Sequence, residues 1–505
     1  MLTVTDGGTH DWANMPLDEM ALGNAMDADF TLRAHNQMEE EMRSKGVNHV
    51  YSKLLKKILV VASNIEHRGI LVDTDCVSDF DEILQKEIES LHTQLSELSV
   101  IPEVNPKSNA DMGALLFGKE GFGLKATEFS KKTKAPSITE AHLTSVASVA
   151  TGDAKKYIEL LLKYKGRVKQ HQTYVKGVEK ALAYNEDGRV YSSYNFGNVV
   201  TGRLSCSTYQ VSPKYKKGIS FHTLPRPDDN DAVNLRSMMT ADEDKVFLAA
   251  DFSQAELRVL AQCCKDKNLI DAFTSGQDLH RFTASLVFGK DAKDVTKQER
   301  QIAKSVSFLI VYGGGPHKLA QQIGKSVGYC KNIFRAYQDA FPKVFNWISF
   351  VHKYVRQNGY AVSLFGRRRH LPNVKSPNRK YQYRALRQGM NFVIQSSASD
   401  LMLHSILRLQ KYLSATDLDA QILATVHDSV EVQCSKKDVK KVTELMRYVL
   451  ESTEDFKVLY GLDFVVPFVV DVEAGRSFGD LIEAEFDDTG HLLNKAEILA
   501  YVENK

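Results

Sequence analysis

The stretch KVFLAADFSQAELRVLAQCC, Lys245–Cys264, changes character after Phe252. Its first eight residues form an apolar run of strand length, interrupted by Asp251; the remaining twelve space their apolar residues as a helix does. A strand that ends on an acid and turns into a helix is a common setting for chemistry, because a rigid element then presents a reactive group at its tip. Beyond residue 240 the same alternation continues. Helical patterns are predicted over residues 296–323, 330–357 and 378–413, and a last strand pair over ILATVHDSVEVQ, residues 422–433. The expected class is α/β (α+β mixed).

Upstream the pattern is mostly helical. Residues 17–42 read as a helix too poor in apolar residues to form a core alone. LLKKILVVASNIEHRGILVD, residues 54–73, predicts a helix, a stop at Gly69 and a short strand, and a second amphipathic helix comes next over 77–98. Residues 100–140 carry Pro102, Pro106 and Pro136 with the basic cluster Lys131, Lys132 and Lys134, and read as a loop-rich basic tip. A helix over 155–183 then leads through an Asn185–Gly188 turn into the strand RVYSSYNF.

With 505 residues, 43% of them hydrophobic, the chain can bury more than one core, and two to four subdomains are expected. Lys and Arg number 65 against 63 Asp and Glu, so any nucleic-acid affinity must come from local patches. The six cysteines include no CxxC pair and no zinc-type spacing, which points to reduced thiols in a cytoplasmic protein. No apolar run approaches the roughly 18 residues a membrane span needs, and no signal-peptide pattern opens the chain. No internal repeat is present, which excludes solenoids.

Chemistry concentrates in three segments. In QERQIAKSVSFLIVYGGG, residues 298–315, Arg300, Lys304, Phe308 and Tyr312 recur at every fourth position and drift only about 120° around a helix. One face would therefore carry two cations and two aromatic rings, the set a nucleoside triphosphate requires: charge for phosphates, a ring for base and sugar. Spacing alone leaves a second reading open, with both rings in a core and both cations reaching to solvent. The other two segments set Asp251 after VFLAA and Asp428 after ATVH. Carboxylates in apolar surroundings are costly unless paired or bound to metal. Two of them could hold a pair of magnesium ions for in-line phosphoryl transfer, or be unrelated turn formers; the sequence does not say whether they meet.

ADFSQAELRVLAQ, RQIAKSVSFLIVYGGG and VHDS resemble, in this order, the three polymerase motifs of family A DNA polymerases, the class of bacterial DNA polymerase I and phage-type replicases. TGRLSCS, QDLHRFTA, SLFGRRRHLP and RQGMNFVIQSSASDLM resemble further family segments, and the ordered matches run over residues 45–480. The resemblance implies a right-hand, Klenow-like polymerase that extends a primer on a DNA template. Its thumb would occupy 46–195, palm 196–269 and 386–482, and fingers 270–385, with a C-terminal tail at 483–505. It implies two Mg2+ ions, for which Mn2+ can substitute, on Asp251, Asp428 and the Phe252 carbonyl. Lys304 and Arg300 would grip the triphosphate beside His280, Phe308 and Tyr312 would face sugar and template base, Gln254 would also bind the nucleotide, and Glu256 would crowd a 2′-hydroxyl and exclude ribonucleotides. Arg203, Arg387, Asn391, Gln395 and His427 would contact primer-template DNA, with Lys131, Lys132 and Lys134 on its phosphates.

There are departures. Ser429 comes after His427-Asp428 where the family usually carries glutamate, Leu309 stands where glycine is usual, and Phe252 replaces a tyrosine. Phe308 resembles members that discriminate against dideoxynucleotides. The segment HDWANMPLDEMALGNAMDADFTLRAHNQM, residues 10–38, resembles the end of a 3′-5′ exonuclease domain, with Asp27 in the place of its last metal-binding aspartate and Gly23 in that of a tyrosine. Residues 1–45 are thus expected to be an exonuclease remnant without proofreading of its own, completed by a separate exonuclease polypeptide or another replisome protein, or left by trimming of a longer chain. The other readings are a single-subunit RNA polymerase, which Glu256 opposes, and a catalytically silent DNA-binding scaffold, which intact Asp251, Asp428 and Lys304 oppose.

Overall fold

The computed structural model describes residues 15–208, 218–227 and 231–503; residues 10–14 of the exonuclease-like segment lie outside them. The strands, in chain order, are β1 Ile70–Val72, β2 Arg189–Val190, β3 Ser192–Asn195, β4 Ser205–Thr208, β5 Met239–Thr240 and β6 Lys245–Phe252. They continue with β7 Tyr360–Val362, β8 Arg368–His370, β9 Ala420–Val426, β10 Ser429–Ser435, β11 Val470–Gly475 and β12 Leu481–Glu483. Two compact units are built from discontinuous segments. One takes the chain up to Val60 with Glu256–Leu407 and Glu454–Pro467; the other takes Val61–Ala255, Arg408–Thr453 and the chain from Phe468 on.

The second unit is organised by a five-stranded sheet of order β12-β11-β6-β10-β9, antiparallel at every ladder. The mixed class therefore takes its α+β form. β6 lies at the centre because its run from Val246 to Ala250 is apolar on both faces, and all five of those residues are buried. Its partner on one side, β11, is an addition to the expected elements, of which the strand pair at 422–433 is the last. The β11 sequence VDVEAG alternates apolar and acidic residues, as a half-exposed strand does.

The helical part of this unit matches the predicted pattern closely. Thr74–Leu98 is capped by Asp73, whose side chain accepts from Cys76 N at 3.0 Å. Its C-terminal half packs against Gly152–Lys169 around Leu91, Leu95, Leu143, Tyr157 and Leu161. The predicted helix 155–183 is interrupted by a π turn at Gln170–Val175 before Lys176–Leu182. The expected loop-rich tip contains a further helix, Asn109–Phe117, capped by Ser108.

The first unit is largely helical. The predicted helix 296–323 is two, Lys297–Val311 and Pro316–Ile323, because Gly313 adopts φ +66° and Pro316 lacks the N–H to continue. The predicted 330–357 likewise divides into Val327–Ala340 and Pro342–Asn358 at Pro342. Arg379–Ser414 is continuous, as predicted. Leu17–Ser44 is a 28-residue helix with no buried residue. Among the described residues no helix is long and apolar enough to cross a membrane.

Candidate active site

Asp251 is the penultimate residue of β6, and Asp428 stands in the turn between β9 and β10, not in a strand as the sequence suggested. Register brings them together. Ser429 lies directly opposite Asp251, and the Phe252 N–H donates to the Asp428 carbonyl at 3.2 Å. The turn is tight enough to hold His427 at φ +59°, a conformation that L-residues rarely accept. Around it, His427 and His222 pack ring to ring at 5.1 Å, and burial pushes both imidazoles below the usual histidine range.

Each aspartate has a cation. Arg203 Nη2 donates to both oxygens of Asp428, at 3.1 and 3.0 Å. Arg226 Nη2 lies 3.6 Å from Asp251 Oδ2. Burial and then the charge of Asp428 still raise Asp251 to about 6, so its anionic form is under electrostatic pressure. On the same face of the sheet Asp471 lies opposite Asp251, while Glu431 and Glu473 both lie opposite Ala249. Arg226, Arg236, Asp251, Asp471 and Glu473 line a cavity of about 410 Å³. Sequence reasoning missed Arg226, Arg236 and these further acids, although the period-two alternation in SVEVQ puts Glu431 on the face of Ser429 and that in VDVEAG puts Asp471 and Glu473 on one face.

The aspartates fit a magnesium centre of the kind completed by substrate. Mg2+ is commonly held by one or two carboxylates together with substrate phosphates and water. Among the described residues no cluster of three or more His, Cys, Asp or Glu could hold a metal without such help. A cation would offset the burial and the Asp428 charge that keep Asp251 high.

The other unit carries the cationic helix. Ile302, Ala303, Val306, Leu309 and Ile310 of Lys297–Val311 are buried, whereas Arg300, Lys304 and Phe308 are half-buried and Tyr312 is 45% exposed. The four residues share the open face, so neither ring is part of the buried core. His280 packs 6.1 Å from the Phe308 ring, and burial lowers it to about 4, so it is neutral at physiological pH. Asp278, not singled out in the sequence, binds Arg300 through two guanidinium nitrogens, the shorter contact being 2.6 Å. It also caps the helix Leu279–Phe288, accepting from Arg281 N at 2.6 Å.

On Arg379–Ser414, Arg387 is exposed and Asn391 and Gln395 are half-buried, one helical turn apart. Asn391 Nδ2 donates to Val311 O at 3.5 Å, joining this stripe to the end of the cationic helix. Glu256 is buried at the start of Ala255–Cys264, and Gln254 precedes that helix at φ +56°. Lys131, Lys132 and Lys134 are exposed on a turn closed by a bridge between Phe129 and Pro136.

The model of family A DNA polymerases matches residues 74–480. The chain belongs to DNA polymerase family A. It is similar to the DNA polymerase I of Chloroflexus aurantiacus, 28% identical over 472 residues that cover 93% of this chain and 47% of the relative. The thermostable DNA polymerase I of Thermus filiformis is 31% identical over 438 residues, covering 87% and 49%. The chain thus spans about half the length of these relatives. Among solved structures, the POL domain of Pol1 from M. smegmatis in complex with DNA primer-template and dNTP superposes with a TM-score of 0.77 at 25% identity. That likeness covers 89% of this family A chain and 74% of the other.

Proposed function

We propose that this chain is a DNA-templated DNA polymerase that extends a primer 3′-hydroxyl with deoxynucleoside triphosphates. The observation that carries the reading is the placement of Asp251, near the end of β6, beside the turn that bears Asp428, where burial and then the charge of Asp428 raise Asp251. Asp251, Asp428 and the Phe252 carbonyl would hold two Mg2+ ions, or Mn2+. Bound there, the ions make the 3′-hydroxyl a better nucleophile and neutralise the departing pyrophosphate. Arg300 and Lys304 would grip the triphosphate, His280 and Phe308 would flank it, and Tyr312 would meet the template base. Gln254 would also bind the nucleotide, and Glu256, a bulky buried acid, would crowd a 2′-hydroxyl. Arg203, Arg387, Asn391, Gln395, His427 and the lysines 131, 132 and 134 would hold primer-template DNA, mainly by phosphate contacts. In this reading residues 46–195 act as thumb, 196–269 and 386–482 as palm, and 270–385 as fingers. Residues 1–45 remain an exonuclease-like segment.

The test is extension of a labelled primer with magnesium, run with deoxynucleotides, with ribonucleotides and with none, for wild type and Asp428→Ala. Extension with deoxynucleotides alone, reduced roughly a thousandfold in the variant, is expected. An intact primer in the reaction without nucleotides is expected as well. Equal activity of wild type and variant would defeat the reading.

A further inference from the structure

Of the carboxylates on the acid face of the sheet, Glu431 is the one water does not reach, being 1% exposed. Its neighbours straight across are Ala249 on β6 and Ala424 on β9, two small side chains that leave room for its carboxyl group. Oε1 meets the Ser429 hydroxyl, and Oε2 has no hydrogen-bond partner. Ser429 Oγ also lies 2.9 Å from the carbonyl of Val426.

Hydrogen count decides how these contacts coexist. A serine hydroxyl has one hydrogen to give, and here it faces two acceptors, the Val426 carbonyl and the Glu431 carboxylate. An ionised Glu431 leaves one of them without a donor and keeps a charge in the sheet interior. With a proton on Glu431 both contacts are made: the carboxyl O–H donates to Ser429 Oγ, and the Ser429 O–H donates to Val426 O. Burial dominates and lifts the group to about 8; the Ser429 contact, Arg236 and the backbone of Glu431 draw it toward ionisation, and Asp251 opposes them.

The linked bonds tie the first residue of β10 to the last of β9, and between these ends stand only His427 and Asp428. A non-glycine residue in the left-handed region persists only where its surroundings hold it there. We infer that Glu431 is a positioning residue that works as a neutral acid, its O–H acting through the Ser429 hydroxyl to hold the turn that presents Asp428. The carboxyl group that the family usually carries at position 429 would thus be supplied two residues further along the same face. This rests on the reading of Asp251 and Asp428 as the polymerase centre.

Four proteins test it: wild type, Glu431→Gln, Glu431→Leu and Ser429→Ala. Glutamine keeps a neutral donor; leucine fills the space without one. Glu431→Gln should retain extension within about threefold, while Glu431→Leu and Ser429→Ala should each lower kcat about 10- to 100-fold, the usual cost of losing a residue that orients a ligand. KM for the deoxynucleotide should be unchanged, and the double variant should lose no more than either single. Amide hydrogen exchange over residues 424–430, measured without metal or DNA, should quicken in Glu431→Leu and Ser429→Ala only. If Glu431→Gln is as impaired as Glu431→Leu, a charge is needed and the inference fails; if Glu431→Leu matches wild type in both measurements, Glu431 is filler. Should wild type itself not extend a primer, the polymerase reading falls, and the exchange measurement still decides the role of Glu431.

Discussion

Arg203 reaches both carboxylate oxygens of Asp428 with one nitrogen, Nη2, at 3.1 and 3.0 Å. The pair is partly exposed, with side chains 28% and 30% accessible, so its strength is that of a surface ion pair, on the order of 1 kcal/mol or less. The arrangement sets Arg203 in competition with any cation that Asp428 is to hold. Release of Arg203 toward a DNA phosphate would be coupled to metal binding.

The first prediction concerns that competition. Arg203→Ala should tighten Mg2+ binding to the DNA-free protein by a few-fold, up to about fivefold for 1 kcal/mol, while weakening primer-template binding. Titration calorimetry with Mg2+ and fluorescence anisotropy with labelled duplex measure the two. Looser binding of both would show that Arg203 supports Asp428 and does not compete for it.

A second prediction comes from Asp251, raised to about 6 by burial and by Asp428. A group whose pKa is raised on folding binds protons more readily in the native state. Below about 6 it is protonated and offers no charge to a metal; above that it is ionised. Primer extension at sub-saturating Mg2+ should therefore fall as pH drops through about 6, and saturating Mg2+ should move the midpoint lower, because bound metal favours the anion. A pH–rate profile at two Mg2+ concentrations reads this directly; a midpoint indifferent to Mg2+ assigns the titration to another group.

Asp278 gives a third. Asparagine caps a helix about as well as aspartate, so Asp278→Asn keeps the start of Leu279–Phe288 while removing the charge that orients Arg300. KM for the deoxynucleotide should rise several-fold with kcat little changed, by steady-state extension kinetics. Loss of thermal stability with KM untouched would make Asp278 a cap and nothing more.

Much of the fold and the site is legible in the sequence, and the remainder is hidden for physical reasons. The residues of β6 and the row Arg300, Lys304, Phe308 and Tyr312 can be read because each depends on a local pattern, a short continuous apolar run for a buried strand and a period of 3.6 for a helix. The acids of β11 cannot be placed, because Asp471 meets Asp251 across more than two hundred residues of chain and no local pattern encodes that pairing. Asp278 sits inconspicuously within a family segment, since an aspartate before a helix reads as a cap until its second contact is seen. The predicted helix 296–323 overruns its end because apolar spacing resumes after Gly313–Gly315, although the three glycines mark the break.

Leu309 bears on how far family expectations can be imposed. It is 6% exposed, and its Cδ2 lies where a side chain on Gly314 would have to begin, 2.7 Å from the position of an added Cβ. Restoring the usual glycine by Leu309→Gly should destabilise the chain by roughly 3–5 kcal/mol, from the lost apolar burial, the cavity and the helical cost of glycine. Urea unfolding monitored by circular dichroism measures it. A loss under about 1 kcal/mol would mean that the neighbouring helix collapses into the space.

Salt dependence bears on the basic surfaces. Lys131, Lys132 and Lys134 are exposed on one turn, and Arg379, Lys380, Arg384 and Arg387 are exposed on one helix. Each contact to a duplex phosphate releases counterions, so log affinity should fall with log salt by about 0.9 per phosphate neutralised. If about five of these side chains engage phosphates, the slope is near −4 to −5. Replacing Lys131, Lys132 and Lys134 together with alanine should reduce its magnitude by between two and three, and Arg387→Ala by about one, provided each cation meets its own phosphate. The net charge of +2 makes this discriminating, because a diffuse attraction to the whole chain would be weak and insensitive to which lysines are removed. Binding measured from about 50 to 300 mM salt separates the cases: a slope that the triple variant leaves unchanged would place the phosphate contacts elsewhere and return the lysine turn to solvent.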